Sequence, residues 1–70
     1  MATFTAIARK APATLAHAVD TFGTEERAFR WMSMPLSELG ERTPEEILMD
    51  DPQNPEVEAI LTRIDYGVYS

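Results

Sequence analysis

Residues 54–70, NPEVEAILTRIDYGVYS, decide the fold, because this stretch carries signals for both ends of a helix. Asn54 can accept a hydrogen bond from a backbone N–H of the first turn, and Pro55 suits the first helical position, where its missing N–H costs nothing. Gly67 can adopt the left-handed conformation that ends a helix. The stretch therefore predicts one helix with defined ends, followed by a tail of three residues.

One side of this predicted helix is apolar. Four side chains recur at the spacing i, i+3, i+4 and i+7, namely Val57, Ile60, Leu61 and Ile64. Their burial would contribute roughly 6–12 kcal/mol before conformational entropy is subtracted. We expect the helix to complete a small core and to present the tail to a partner.

Composition limits the class of protein. The chain has 70 residues, no cysteine and one histidine, so it forms at most one small domain without disulfides or a Cys-based metal site. Residues 1–19 contain two basic and no acidic residues, whereas residues 20–70 contain four arginines and twelve acidic residues. Nucleic-acid backbones are bound by clustered Lys and Arg, so DNA binding is not expected from this chain.

The sequence shows no targeting signal and no membrane span. The opening MATFTAIARKAP lacks a long apolar run, and its basic residues follow the apolar ones, unlike those of a secretory signal. No apolar run approaches the roughly 20 residues that a membrane helix needs. We therefore expect a cytoplasmic location.

Three further helices are predicted before residue 54. Residues 13–21 carry an apolar stripe and are followed by Gly23 as a stop signal. Thr24 is the expected N-cap of the next helix, and Thr43 with Glu46 forms the capping-box pattern of the third. The chain is therefore predicted to be all-α, a small bundle of about four short helices without a sheet.

Residues 1–12 are assigned to an N-terminal arm, and residues 13–70 to the domain itself. The apolar residues of the arm are spaced as in a helix, but Thr3 and Thr5 also permit an extended conformation. Pro12 breaks either element. We expect an adaptable arm that can become helical when bound.

No group of residues in the sequence indicates catalysis. Asp50 and Asp51 lack the alternating ligands and internal glycine of a calcium-binding loop, which favours a solvated turn. His17 has no cysteine or serine motif to pair with, so a position on a helix surface is expected. We predict that the chain is not an enzyme and needs no cofactor or metal.

The end of the chain is the strongest candidate contact site. Tyr66, Val68 and Tyr69 cluster at the terminus, where apolar side chains are exposed unless something covers them. For Tyr66, packing back onto the core and contact with a partner are equal alternatives. For Val68 and Tyr69 we favour contact with a partner.

An ordered series of residues extends over residues 13–70: Phe22-Gly23, Ala28, Trp31, Pro35, Leu39-Gly40, Thr43-Pro44, Leu48, Val57, Leu61 and the ending RIDYGVYS. In order and spacing, this series resembles the toxin-binding C-terminal domain of Xre/MbcA/ParS-type bacterial antitoxins. Two turns depart from the usual pattern of that family. The common double glycine is Gly40-Glu41 here, and prolines replace a glycine before the last helix.

The resemblance implies an antitoxin, or its toxin-binding module, that neutralises a RES-domain toxin acting on NAD. In this family the domain packs on the toxin and obstructs access to the active site. The matching positions in this chain lie in the last helix and tail, so the implied partner-binding residues are Arg63, Tyr66, Gly67, Val68, Tyr69 and Ser70.

The alternative is a non-catalytic helical interaction or dimerisation module without a toxin partner. Such a homo-oligomer would use Phe4, Ile7 and the exposed methionines. Met34, beside Pro35, is the methionine that we most expect to be exposed. Family members usually carry an N-terminal region of the helix-turn-helix kind, whereas only about a dozen residues precede the matched series here.

Overall fold

The computed structural model describes the backbone of residues 2–67 and the side chains of residues 5–67. In this part of the chain there are five α-helices and one 3₁₀ turn: α1 (Ala2–Lys10), α2 (Pro12–Phe22), α3 (Glu25–Met32), the turn (Ser37–Leu39), α4 (Pro44–Asp50) and α5 (Pro55–Asp65). The described residues form no strand, apart from one isolated bridge between Leu36 and Arg42. The predicted all-α fold is confirmed.

Three helices begin at the side-chain caps that the sequence predicts. The Thr24 hydroxyl accepts a hydrogen bond from the backbone N–H of Arg27 at the start of α3. At α4, Thr43 Oγ1 accepts from the Glu46 N–H at 3.1 Å, and Glu46 Oε1 accepts from the Thr43 N–H at 2.8 Å. Asn54 Oδ1 accepts from the Glu56 N–H at 2.8 Å and caps α5. These caps satisfy N–H groups that have no partner within the helix.

The core lies between α2 and α4, each of which packs against α1, α3 and α5. Its members are almost entirely shielded from solvent: Ile7, Ala11, Leu15, Ala18, Ala28, Met32, Leu39, Ile47, Leu48, Val57, Ile60 and Leu61. Three of the four residues of the predicted α5 stripe belong to this core, and the fourth, Ile64, is half-buried against it. The apolar pattern of α5 therefore faces inward as predicted.

The N-terminal residues form a helix that packs on the domain. Ile7 of α1 is only 1% exposed, and α1 lies against α4 and α2. Ala11 joins α1 to α2 by accepting from the Leu15 N–H and donating to the Ile7 carbonyl, so Pro12 occupies the first turn of α2. A division of the chain at residue 12 stays a prediction. Ile7, however, is not available for the suggested homo-oligomer contact.

Candidate functional site

The outer end of α5 is where the predicted partner-binding residues begin. Arg63, Tyr66 and Gly67 are all exposed, and Tyr66 is the most exposed large apolar side chain of the described residues, at 82%. Gly67 has a φ of 75°, the left-handed conformation expected at a helix end. Of the two alternatives for Tyr66, the structure excludes packing back onto the core. Val68, Tyr69 and Ser70 lie outside the described residues.

A polar cluster ties the outer end of α5 to α2. His17 Nε2 lies 2.7 Å from Asp65 Oδ2, and His17 Nδ1 is hydrogen-bonded to Glu58 Oε1. The Thr21 hydroxyl donates to Asp65 Oδ1 at 2.6 Å. Glu58 and Asp65 are separated by about two helical turns on one side of α5, so the imidazole ring spans both. We call these four residues the His17 cluster.

The protonation states within the His17 cluster follow from this geometry. Both ring nitrogens face carboxylate oxygens, which is the arrangement of a doubly protonated imidazolium donating twice. The hydrogen bonds to Asp65 and then to Glu58 raise the pKa of His17 above 6.5, against a smaller opposing effect of burial. The hydrogen bonds from Thr21 and then from His17 lower the pKa of Asp65 below 3.8.

Sequence reasoning missed this cluster. His17 was expected as a surface residue of the helix, and it is instead partly buried and bonded across to α5. A signal is present, because His17 and Thr21 stand four residues apart on one side of α2, a spacing that matches two donors to the one carboxylate of Asp65. That match has meaning only once α2 and α5 are known to be neighbours.

An apolar groove lies beside the outer end of α5. Trp31, Leu36, Ile60 and Ile64 line it together with Glu38, and its volume is about 320 Å³. Trp31 is half-buried, and the centroid of its ring lies 5.4 Å from the centroid of the Phe22 ring. Close in sequence to the groove residues is Met34, which is 49% exposed, as expected. Apolar surface therefore continues from the end of α5 toward α3 and the 3₁₀ turn.

The turn at Gly40-Glu41 has two consecutive residues in the left-handed conformation, and the second is not a glycine. Both residues have a φ of 67°, and the Glu41 N–H donates to the Leu36 carbonyl at 2.9 Å. A non-glycine residue pays roughly 1–2 kcal/mol for this left-handed conformation. The backbone of the turn is therefore strained at Glu41, whose side chain is exposed.

The acidic turn before α5 has a structural role. Asp51 Oδ1 accepts from the Gln53 N–H at 3.2 Å, and Asn54 caps α5. Across the described residues, no group of three or more His, Cys, Asp or Glu is arranged to bind a metal ion. None of the described helices has the length and apolar character needed to cross a membrane.

The described residues form a small all-α domain in which α5 is buried on one side and is followed by an exposed aromatic residue. The family comparison gives the particular family. The sequence model of one protein family, the antitoxin Xre/MbcA/ParS C-terminal toxin-binding domain, matches residues 17–67. The chain belongs to this family. The family resemblance noted in the sequence is confirmed.

Two proteins named Antitoxin Xre are similar to this chain. The one from Yersinia enterocolitica is 39% identical over 54 residues, which cover 76% of this chain and 36% of the relative. The one from Photorhabdus laumondii is 38% identical over 55 residues, which cover 77% of this chain and 37% of the relative. The match thus spans little more than a third of each relative. No solved structure is significantly similar to the chain.

Proposed function

We propose that this chain is an antitoxin, or the toxin-binding module of one, which neutralises its toxin by direct binding in the cytoplasm. The partner in this proposal is a RES-domain toxin that consumes NAD, and the chain itself catalyses nothing. The observation that carries the proposal is the match of residues 17–67 to the toxin-binding domain of this family, and the 82% exposure of Tyr66 after α5 supports the location of the contact.

The mechanism is steric occlusion. Val57, Ile60 and Leu61 fix the first turns of α5 in the core, and hydrogen bonds from α2 to Asp65 hold its end, so the helix end is ordered before the toxin is met. A contact that is ordered in advance loses little conformational entropy on binding, which favours affinity. In this proposal Arg63, Tyr66 and Gly67 contact the rim of the toxin's NAD pocket, and residues 68–70 obstruct its entrance.

Charge supports a partner with a basic surface. The chain carries a net charge of −6, and twelve acidic residues lie from residue 20 onward. A field of one sign raises the rate at which an oppositely charged partner is met, and the effect falls with added salt. We therefore expect the association rate with the toxin to fall as ionic strength rises.

The alternative, a dimerisation module without a toxin, retains one supporting observation. Met34 is half-exposed and lies close in sequence to Trp31 and Leu36, which line an apolar groove. Because Ile7 is buried, the contact proposed through the N-terminal residues loses one of its two anchors. The side chain of Phe4 lies outside the described side chains. Sedimentation of the isolated chain tests this alternative directly.

The test is calorimetric binding to the toxin encoded beside this gene, with NAD consumption measured in the same mixtures. We expect tight binding that stops NAD loss. Removal of residues 68–70 should weaken inhibition while the unfolding transition stays nearly unchanged, because these residues follow the helix end. A folded toxin that does not bind the chain contradicts the proposal. Full inhibition by the truncated chain contradicts the occlusion mechanism alone.

A further inference from the structure

The last turn of α5 has few apolar anchors. Leu61 is fully buried, but among the described residues that follow it only Ile64 packs against the core, and Ile64 is half-buried. Arg63, Tyr66 and Gly67 lie on the outside. Apolar packing therefore fixes the first part of α5 much more firmly than its end.

Polar contacts hold this end where apolar packing is weak. Asp65, the last residue of α5, accepts hydrogen bonds from His17 and from Thr21, both on α2. Through its second nitrogen, the same ring is bonded to Glu58, nearer the start of α5. The rigid planar ring is thus bonded to two side chains that lie about two turns apart on α5. This arrangement restricts both the tilt and the rotation of the helix end.

We propose that His17 is the positioning residue of the partner-binding end: bonded to Glu58 and Asp65, its ring sets the direction in which α5 presents Arg63 and Tyr66. The part of this inference that concerns the toxin rests on the proposed function. The restriction of the α5 end by His17 is a property of the chain alone, and it can be measured without the toxin.

The positioning depends on pH because the ring must donate twice. A neutral imidazole keeps one N–H and presents a bare nitrogen at its other position, so one of the two carboxylates loses its hydrogen bond. Among the described residues, the charged groups that act on His17 are Glu58 and Asp65, both on α5. Since these contacts raise the pKa of His17, the end of α5 loosens when the pH rises through that raised value.

The first experiment follows backbone amide NMR signals of the 70-residue chain from about pH 6 to about pH 9, the interval in which a histidine titrates. We expect the signals of residues 64–67 to shift with the midpoint of the His17 ring, while those of Val57 and Leu61 stay constant. In His17→Gln this titration should disappear. Asp20→Asn is the matched control, since Asp20 is an exposed residue of the same helix. Uniform shifts along α5, or none at residues 64–67, overturn the proposal.

The second experiment measures toxin affinity over the same pH interval. His17→Gln should weaken binding about tenfold at neutral pH, as expected when a charge-assisted pair is lost, and should remove the pH dependence. His17→Arg keeps a permanently charged donor fork, so it should bind tightly at all pH values. Unchanged affinity and pH profile in His17→Gln, with the variant fully folded by circular dichroism, contradict the proposal.

The two experiments separate the two hypotheses. If the wild-type chain fails to bind the toxin, the proposed function fails, and the NMR titration still decides whether His17 positions the end of α5. If the wild-type chain binds but His17→Gln binds equally well at every pH, the proposed function stands and the positioning role fails.

Discussion

The first two turns of α5 and its last turn are held by different forces. Asn54 caps the start, and Val57, Ile60 and Leu61 place the following turns in the core with almost no exposure. The last turn is bonded to α2 through Asp65 and ends beside Tyr66, which is the most exposed large apolar side chain described. One helix thus combines a part that stabilises the domain with a part that is presented to solvent.

This difference separates stability from recognition. Buried apolar contacts give most of the free energy of folding, whereas hydrogen bonds between partly exposed groups give less but fix geometry. Substitutions in the first turns should therefore change the free energy of unfolding. Substitutions at the end should change binding with little effect on folding.

Leu61→Ala should have the largest effect. Leu61 is fully buried, and truncating such a side chain removes apolar contacts and leaves a cavity, at a cost of about 2–5 kcal/mol. In a 70-residue domain this loss is a large fraction of the total free energy of unfolding. Urea denaturation followed by circular dichroism measures it. Thr62→Ala, at the exposed neighbouring position, should change the midpoint little. Equal losses in both variants contradict the burial of Leu61 in the core.

Tyr66→Ala should have the next largest effect, on binding. An exposed aromatic side chain at the centre of a protein interface commonly contributes about 2 kcal/mol or more, so toxin affinity should fall about thirtyfold or more. The unfolding midpoint should stay constant, because Tyr66 packs on little of the domain. Met34→Ala is the control, an exposed apolar side chain that follows α3 in the chain and is not part of α5. A greater loss of affinity in Met34→Ala places the interface elsewhere.

The apolar positions and the helix boundaries could be predicted from the sequence, because each depends on local chemistry. The caps at Thr24, Thr43 and Asn54 and the buried side of α5 follow from residue type and spacing along the chain. The packing of α1 could not be predicted in the same way. Its residue spacing fits both a helix and an extended segment, and α1 packs on α4, which lies far along the sequence.

The candidate site was predictable only in part. The exposed end of α5 was located from the glycine and the terminal aromatic residues, but the alternatives for Tyr66 needed the structure. The role of His17 depends on its contacts with Glu58 and Asp65, which follow it in the chain by 41 and 48 positions. Spacing within one helix gives no information on such a contact. Polar pairs between helices therefore remain the hardest feature to predict.

Asn54→Ala should have a smaller effect at the start of α5. Its side chain accepts one hydrogen bond, from the Glu56 N–H, and loss of such a cap costs about 1 kcal/mol. Asn54→Asp keeps an acceptor oxygen and should retain most of the stability. Thermal denaturation of both variants measures the difference. Toxin affinity should be unchanged, so a binding defect in a folded Asn54→Ala protein contradicts the separation of the two ends.

The smallest effect is expected from the pH dependence of stability. The pKa of His17 is raised on folding, so its contribution is complete below pH 6.5 and is lost as the pH rises through the raised value. The pKa of Asp65 is lowered, so its contribution is present above pH 3.8 and is lost as the pH falls through the lowered value. The His17 cluster therefore stabilises most between these limits. In Asp65→Asn, the loss of stability on the alkaline side should become smaller, and Asp20→Asn should behave as the wild type. An alkaline decline of the same size in Asp65→Asn would contradict the contribution of Asp65 to the raised pKa of His17.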